Sequence, residues 1–234
     1  MKSLKYLEKE LNIFFNNKEL LKNAFIHRSY LNENKKRTVV SNEKLEFLGD
    51  SVLSLISSQY LFINYPLYSE GEYTDIKASV VKTESLAATS AKLNLGEYLY
   101  LSKGEEKGGG RRNKNILADC FEAVLAAIFI DKGFNRAYKF AETYLFKEKL
   151  DDIIKNKKYL SSKSKLQEIF QRKYKQTPEY KTINESGPEH KRIFSVGIFF
   201  RNRKLAQGTG MSKKQAEDEA AKIALIKLRI LKAK

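Results

Sequence analysis

Five carboxylates fall at spacings that could hold a metal ion. In Asn42-Glu43-Lys44-Leu45-Glu46-Phe47-Leu48-Gly49-Asp50-Ser51-Val52-Leu53, a helical advance of roughly 100° per residue gathers Glu43, Glu46 and Asp50 within about 60° of one another. Leu45, Leu48, Val52, Leu55 and Ile56 fall on the opposite side. Like charges three or four apart on a helix repel, so this strip calls for a cation. Further along, Asp119 and Glu122 share one face of Ile116–Ile130, a stretch apolar almost all round. A carboxylate buried there without a partner costs several kcal/mol or is forced neutral. One such group could be answered by an arginine. Two, with three more on another helix, point instead to two helices facing each other across shared divalent cations. All the donors are oxygens, which select Mg²⁺ or Mn²⁺ over Zn²⁺. Carboxylate-held Mg²⁺ beside a polyanion is suited to phosphodiester hydrolysis.

Other chemistries find less support. A Ser/His or Cys/His nucleophile would rest on His27 or His190, the two histidines of the chain, and His27 in His27-Arg28-Ser29 reads as a buried, hydrogen-bonded structural residue. Cys120 would be made less nucleophilic by Asp119 beside it. The Gly108–Gly110 loop lacks the Gly-Lys-Ser/Thr ending of a phosphate-binding loop.

The elements that must position these groups can be read from periodicity. Leu4, Leu7, Leu11, Phe14 and Phe15 fit one short helix, and Leu20, Leu21, Ala24 and Phe25 fit another that ends in His27-Arg28-Ser29-Tyr30. The acid-faced helix is expected to run to about Tyr65, ahead of Pro66. A single long helix is expected from about Tyr73 to Leu93, a loop over 103–115, and an amphipathic helix over 134–149. No strand-like alternation precedes residue 150. After a short charged connection the pattern changes: a helix around Leu166, Ile169 and Phe170, strands over 180–185, 192–200 and 204–208, and a last helix opened by Ser212 and Gln215 in a capping-box pattern and running to about Leu231. The expected architecture is therefore multi-domain. An all-α domain over 1–150 is followed by a linker over 151–160 and a small α+β domain of order α-β-β-β-α over 161–234.

The 234 residues carry a net charge of +16 and a pI of about 9.6, with 42% hydrophobic residues, so the chain is globular. Residues 1–150 hold 23 Lys+Arg against 19 Asp+Glu, and residues 151–234 hold 21 against 9. The second half thus favours a polyanion. Lys213 and Lys214 stand in the first turn of the last helix, where the helix dipole disfavours positive charge but backbone amides bind phosphate. Arg111 and Arg112 are candidates for an additional contact, or for a merely flexible basic loop. One cysteine excludes an internal disulfide. No apolar run approaches the roughly 20 residues of a membrane span, and no signal-peptide pattern is present. A cytoplasmic protein with no membrane association is expected.

The stretch from Asn42 to Asp50 resembles the signature of ribonuclease III. Leu117-Ala118-Asp119-Cys120-Phe121-Glu122-Ala123 resembles that family's second acidic motif, and His27-Arg28-Ser29-Tyr30 and Glu70-Gly71 also match. The resemblance spans essentially the whole chain. It implies a catalytic domain and a double-stranded-RNA-binding domain acting as a Mg²⁺-dependent endoribonuclease, with Mn²⁺ able to substitute. The enzyme would be a homodimer cleaving double-stranded RNA to 5′-phosphate and 3′-hydroxyl ends with a short 3′ overhang, in ribosomal and other structured precursors. By motif position Asp50 and Glu122 are the catalytic pair, Glu46, Asp119 and Glu122 the metal ligands, and Glu43 and Glu70 outer acidic positions nearer a dimer seam. Phe47, a large aromatic projecting beside the acidic strip, reads as an interface residue, and the family's corresponding aromatic packs across the dimer. Gln167 and Glu168, the Gly187-Pro188-Glu189-His190 turn, and Lys213 with Lys214 match the RNA-contacting surfaces. The competing expectation is a non-catalytic RNA-binding or ribosome-assembly protein of the same fold.

Overall fold

The computed structural model describes residues 2–33, 39–157, 159–188 and 191–228, and the chain divides into two compact units, residues 1–159 and 160–234. The first is helical: α1 (Leu4–Leu11), α2 (Lys18–Asn23), α3 (Arg28–Glu33), α4 (Glu43–Asn64), α5 (Glu70–Val81), α6 (Thr83–Lys92), α7 (Lys103–Lys107), α8 (Lys114–Lys132), α9 (Phe134–Ala141) and α10 (Lys147–Lys155). Helix α8 is its centre. Residues Cys120, Phe121 and Ala123 to Ile128 have no measurable exposure. Each large apolar side chain so enclosed contributes about 1.5–3 kcal/mol. Helices α4 and α6 lie against it, and the buried Ser90 hydroxyl donates to Leu117 O at 2.6 Å.

The long helix expected over 73–93 is two helices. Ser69 and Glu72 form a capping box that starts α5 earlier, and Lys82 is extended (φ −62°, ψ 152°), so the chain turns and restarts as α6. The break falls in the polar run Lys82-Thr83-Glu84-Ser85, with no Gly or Pro to mark it. The expected loop over 103–115 holds α7, capped by Ser102, and a 3₁₀ turn at Gly110–Arg112. The expected helix over 134–149 is interrupted by a π turn, Glu142–Phe146, whose extra residue per turn lets Leu145 and Phe146 both face inward. Helix α10 runs on to Lys155, into the segment read as a linker, because Leu150 and Ile153 are buried. Leu55, expected on the apolar side of α4, is 59% exposed, whereas Val52, Leu53 and Ile56 form the buried face.

The second unit comprises α11 (Ser162–Tyr174), an antiparallel sheet of β1 (Glu179–Ser186), β2 (Ile193–Phe200) and β3 (Arg203–Gly210) in that order, and α12 (Lys213–Lys227). Leu166 and Phe170 of α11, Ile198 and Ala206 of the sheet, and Ala220, Ala221, Ala224 and Leu225 of α12 make its core. Helix α12 lies so close on β3 that a Cβ at Gly208 would stand 2.2 Å from the Ala220 nitrogen. The stretch beyond 228, including the expected end of the last helix, lies outside the described residues.

Candidate metal centre and nucleic-acid surface

Asn42 sets the start of α4. It is 3% exposed, its side chain donates to Ala24 O at 3.3 Å, and its backbone N–H donates to Ile26 O at 2.8 Å. Further along the helix, Gly49 faces α8: a Cβ there would come within 2.0 Å of the Glu122 carbonyl oxygen. Glycine is what lets the two backbones touch, and this contact brings the two acidic strips together. Carboxylate oxygens of Glu46, Asp119 and Glu122, all half-buried, lie within 4.8 Å of one another. Asp50 is exposed beside them and acts electrostatically on Glu122.

The electrostatics follow from that crowding. Burial first, then the negative charges of Asp50, Asp119 and Glu46, push the Glu122 carboxyl up to about 8. Burial also raises Asp119, opposed by His27 and Arg28, and raises Glu46 together with Asp119 and Glu43. The neighbours acting on Glu122 are carboxylates, with no cation among them. Three hard oxygen donors at this separation, with no cation acting on Glu122, fit a divalent cation.

A cleft of about 720 Å³ opens onto Glu46 and Asp119. Glu43 lies on its wall, accepting from the Ser41 hydroxyl at 2.7 Å and standing 3.8 Å from the Arg28 guanidinium. Glu43 therefore belongs with the cleft at least as much as with a seam. His27 is also on the wall. Its Nδ1 is 2.8 Å from the Ser29 hydroxyl, which accepts from the Ser102 N–H, and burial lowers the imidazole pKa. It is hydrogen-bonded as expected, yet it faces the cleft rather than the core. Glu105 lines the same wall and acts on His27. Sequence reasoning missed it because it fell in a supposed loop. Asn113 and Asn115 were missed as well; Asn113 caps α8 by accepting from the Asn115 N–H at 2.9 Å. Arg111, a candidate RNA contact, is instead spent on the fold. Its guanidinium donates to Gly96 O and Leu99 O, both at 2.9 Å, and to Glu106 at 2.8 Å.

The remaining predicted residues of the first unit lie elsewhere. Glu70, in the first turn of α5, accepts from the Thr74 hydroxyl at 3.2 Å and borders an apolar cavity of about 730 Å³ with Leu55, Leu61, Phe62 and Tyr73. Phe47 is 79% exposed and Phe62 72%. At helical spacing Phe47, Ser51, Ser54, Leu55, Ser58 and Phe62 form one outward strip beside the acidic one.

In the second unit Lys213 and Lys214 are exposed in the first turn of α12, behind a Ser212 hydroxyl that accepts from the Gln215 N–H at 3.2 Å. Lys213 pairs with Glu185 at 3.0 Å and lies over the Phe194 ring. Gln167 is half-buried and Glu168 exposed on α11, and Gly187 and Pro188 are exposed. His190 lies outside the described residues.

Comparison with known proteins follows the same division. Residues 17–149 match the Ribonuclease-III-like family and residues 162–228 match the double-stranded RNA binding motif. The protein named Ribonuclease 3 from Fusobacterium nucleatum is 42% identical over 228 residues, covering 97% of this chain and 97% of the relative. Ribonuclease 3 from Syntrophomonas wolfei is 44% identical over 211 residues, covering 90% and 89%. The crystal structure of the nuclease domain of ribonuclease III from Campylobacter jejuni covers 64% of this chain and 97% of that one, at 36% identity and a TM-score of 0.58. Another structure of that domain is described for flexibility in a region involved in dimer formation.

Proposed function

The chain belongs to the ribonuclease III family, and from that premise we propose that Glu46, Asp119 and Glu122 hold the divalent ion of a double-strand-specific endoribonuclease, with Asp50 beside them at the reacting phosphate. The observation that carries this reading is the meeting of the three carboxylates across α4 and α8. The family is metal-dependent. The all-oxygen donor set favours Mg²⁺, with Mn²⁺ able to substitute. When bound, such an ion activates water and neutralises charge on the phosphodiester. Products with 5′-phosphate and 3′-hydroxyl ends and a short 3′ overhang follow from the family, as does processing of ribosomal and other structured precursors.

The chain's own groups do the rest. Glu46, Asp119 and Glu122 must all be ionised to bind the ion, and Asp50 keeps the Glu122 surroundings negative. Glu43 holds Arg28 at the cleft wall, and Glu105 faces His27. RNA binding belongs to the second unit. Exposed Lys213 and Lys214 meet phosphates, while Gln167, Glu168, Gly187, Pro188 and His190 meet the minor groove, where A-form shape and 2′-hydroxyls are read. A homodimer is the assembly we infer: Phe47, Leu55 and Phe62 stand exposed on one outward strip, a patch of the kind that marks an interaction surface, and a second copy would cover it. Among the described residues no helix is long and apolar enough to cross a membrane; a cytoplasmic location is inferred from the family.

The test is cleavage of a long RNA duplex with and without Mg²⁺ or Mn²⁺, comparing wild type with Glu122→Gln and Asp119→Asn. Wild type should cut only with the ion, and both variants should bind the duplex but leave it whole. Duplex that is bound and left intact by wild type at every metal concentration would make this a non-catalytic RNA-binding protein.

A further inference from the structure

The RNA-facing groups of the second unit sit on separate elements. Gln167 and Glu168 are on α11, and Lys213 and Lys214 are at the start of α12. One duplex can meet both only if the two helices keep a fixed register. Their apolar contact alone gives little directional register, because apart from Leu225 the α12 side of the core is Ala220, Ala221 and Ala224, facing Leu166 and Phe170. Alanines supply area but few ridges to lock a partner helix in place.

Directional bonds stand where the two helices meet. The Lys163 backbone N–H, in the first turn of α11, donates to Asp218 Oδ1 at 3.1 Å. The Lys163 ammonium pairs with Glu217 Oε2 at 2.6 Å, and the side chains are only 34% and 25% exposed. The same ammonium lies 4.8 Å over the Tyr180 ring of β1, whose hydroxyl is buried. A carboxylate from another helix thus satisfies an orphan N–H at the positive end of α11. A part-buried pair is screened less than a surface one. Glu217 and Asp218 also follow Lys213 and Lys214 by one turn, so the contact is anchored beside the phosphate-binding end.

We propose that Lys163, Glu217 and Asp218 form a positioning clamp that fixes α11 against α12, so that the Gln167/Glu168 surface and the Lys213/Lys214 surface engage one duplex together. This rests on the RNA-binding reading above. None of the three touches RNA.

The test measures binding of the full chain, without divalent ions, to an RNA duplex of about 25 base pairs, longer than the roughly 16 such a domain spans. Titrations are repeated across salt concentrations. Glu217→Gln and Asp218→Asn should each weaken binding about fivefold, with the slope of log K against log salt unchanged because every phosphate-binding group is still present. Gln167→Ala should weaken wild type by a similar factor and the Glu217→Gln variant hardly at all. Lys163→Arg should retain binding, and Lys163→Met should weaken it as Glu217→Gln does; circular dichroism checks that each variant is folded. The clamp is overturned if Glu217→Gln binds like wild type, if its effect adds fully to that of Gln167→Ala, or if Lys163→Met lowers the salt slope as removal of a phosphate-binding group would. A wild-type chain that ignores the duplex would instead overturn the RNA-binding reading itself.

Discussion

At the scale of single residues, Glu122 sets the terms. Its carboxyl is raised from 4.5 to about 8 by burial and three neighbouring acids. In the metal-free protein it holds its proton more tightly folded than unfolded. The stability this proton supplies is present in full below about 4.5 and is lost as pH rises through about 8. Thermal melts without metal should therefore fall from pH 5 to pH 8, and Mg²⁺ should restore them at the upper end. Glu122→Gln should flatten that pH dependence, melt above wild type at pH 8 without metal, and lower cleavage by on the order of 100-fold or more. Equal pH dependence in wild type and Glu122→Gln would contradict the assignment. The apparent affinity for Mg²⁺ should strengthen over the same interval, since the ion competes with that proton. Glu43, Glu46 and Asp50 were legible in the sequence because their spacing broke a rule about like charges, and Asp119 and Glu122 because they interrupt a stretch otherwise apolar almost all round. Glu105 was not, because an acid beside Glu106 and between Lys103 and Lys107 in a glycine-rich stretch reads as an ordinary solvated surface.

At the scale of elements, the site exists because α4 and α8 touch. Gly49→Ala exposes two opposing effects. Alanine favours a helix by up to about 1 kcal/mol over glycine. The new Cβ, however, would be aimed at the Glu122 carbonyl 2.0 Å away, and overpacking of this kind costs typically about 1–3 kcal/mol. The clash should win. The variant should melt lower than wild type, and at a temperature where both are folded it should need more Mg²⁺ for half-maximal cleavage, because Glu46 and Glu122 are driven apart. Unchanged Mg²⁺ dependence would mean that the helix contact does not set the ligand separation. Periodicity found the helices themselves, and the strands by their alternation. What it could not find were interruptions without punctuation. Lys82 ends α5 within the polar run Lys82-Thr83-Glu84-Ser85, which the exposed face of one continuous helix would also allow, and the π turn at Glu142–Phe146 adds one residue to an otherwise helical pattern. Neither leaves a Gly or Pro. The exposure of Leu55 was hidden for another reason: helical spacing separates two sides, but it does not say which apolar strip the rest of the chain will cover.

At the scale of the whole molecule, that uncovered strip and the charge asymmetry divide the work. Truncating an aromatic anchor at an interface centre costs about 2 kcal/mol or more, roughly 30-fold in a dissociation constant. Sedimentation of Phe47→Ala should therefore show a monomer at concentrations where wild type is a dimer; a dimer as tight as wild type would remove Phe47 as the anchor. Charge makes a separate demand. The first unit presents a cleft of carboxylates to a polyanion, so attraction to RNA has to come from elsewhere, and the excess of Lys and Arg lies after residue 150. Lys213 and Lys214 concentrate it at a helix start. Replacing both with alanine leaves Glu46, Asp119 and Glu122 untouched. It should raise KM for a duplex, lower the salt slope by about one for each phosphate no longer neutralised, and leave kcat at saturating duplex close to wild type. The gap between variant and wild type in kcat/KM should narrow as salt rises, because counterion release is the contribution the lysines supply and salt removes it. A drop in kcat with KM unchanged would place these lysines in the chemistry instead of the binding.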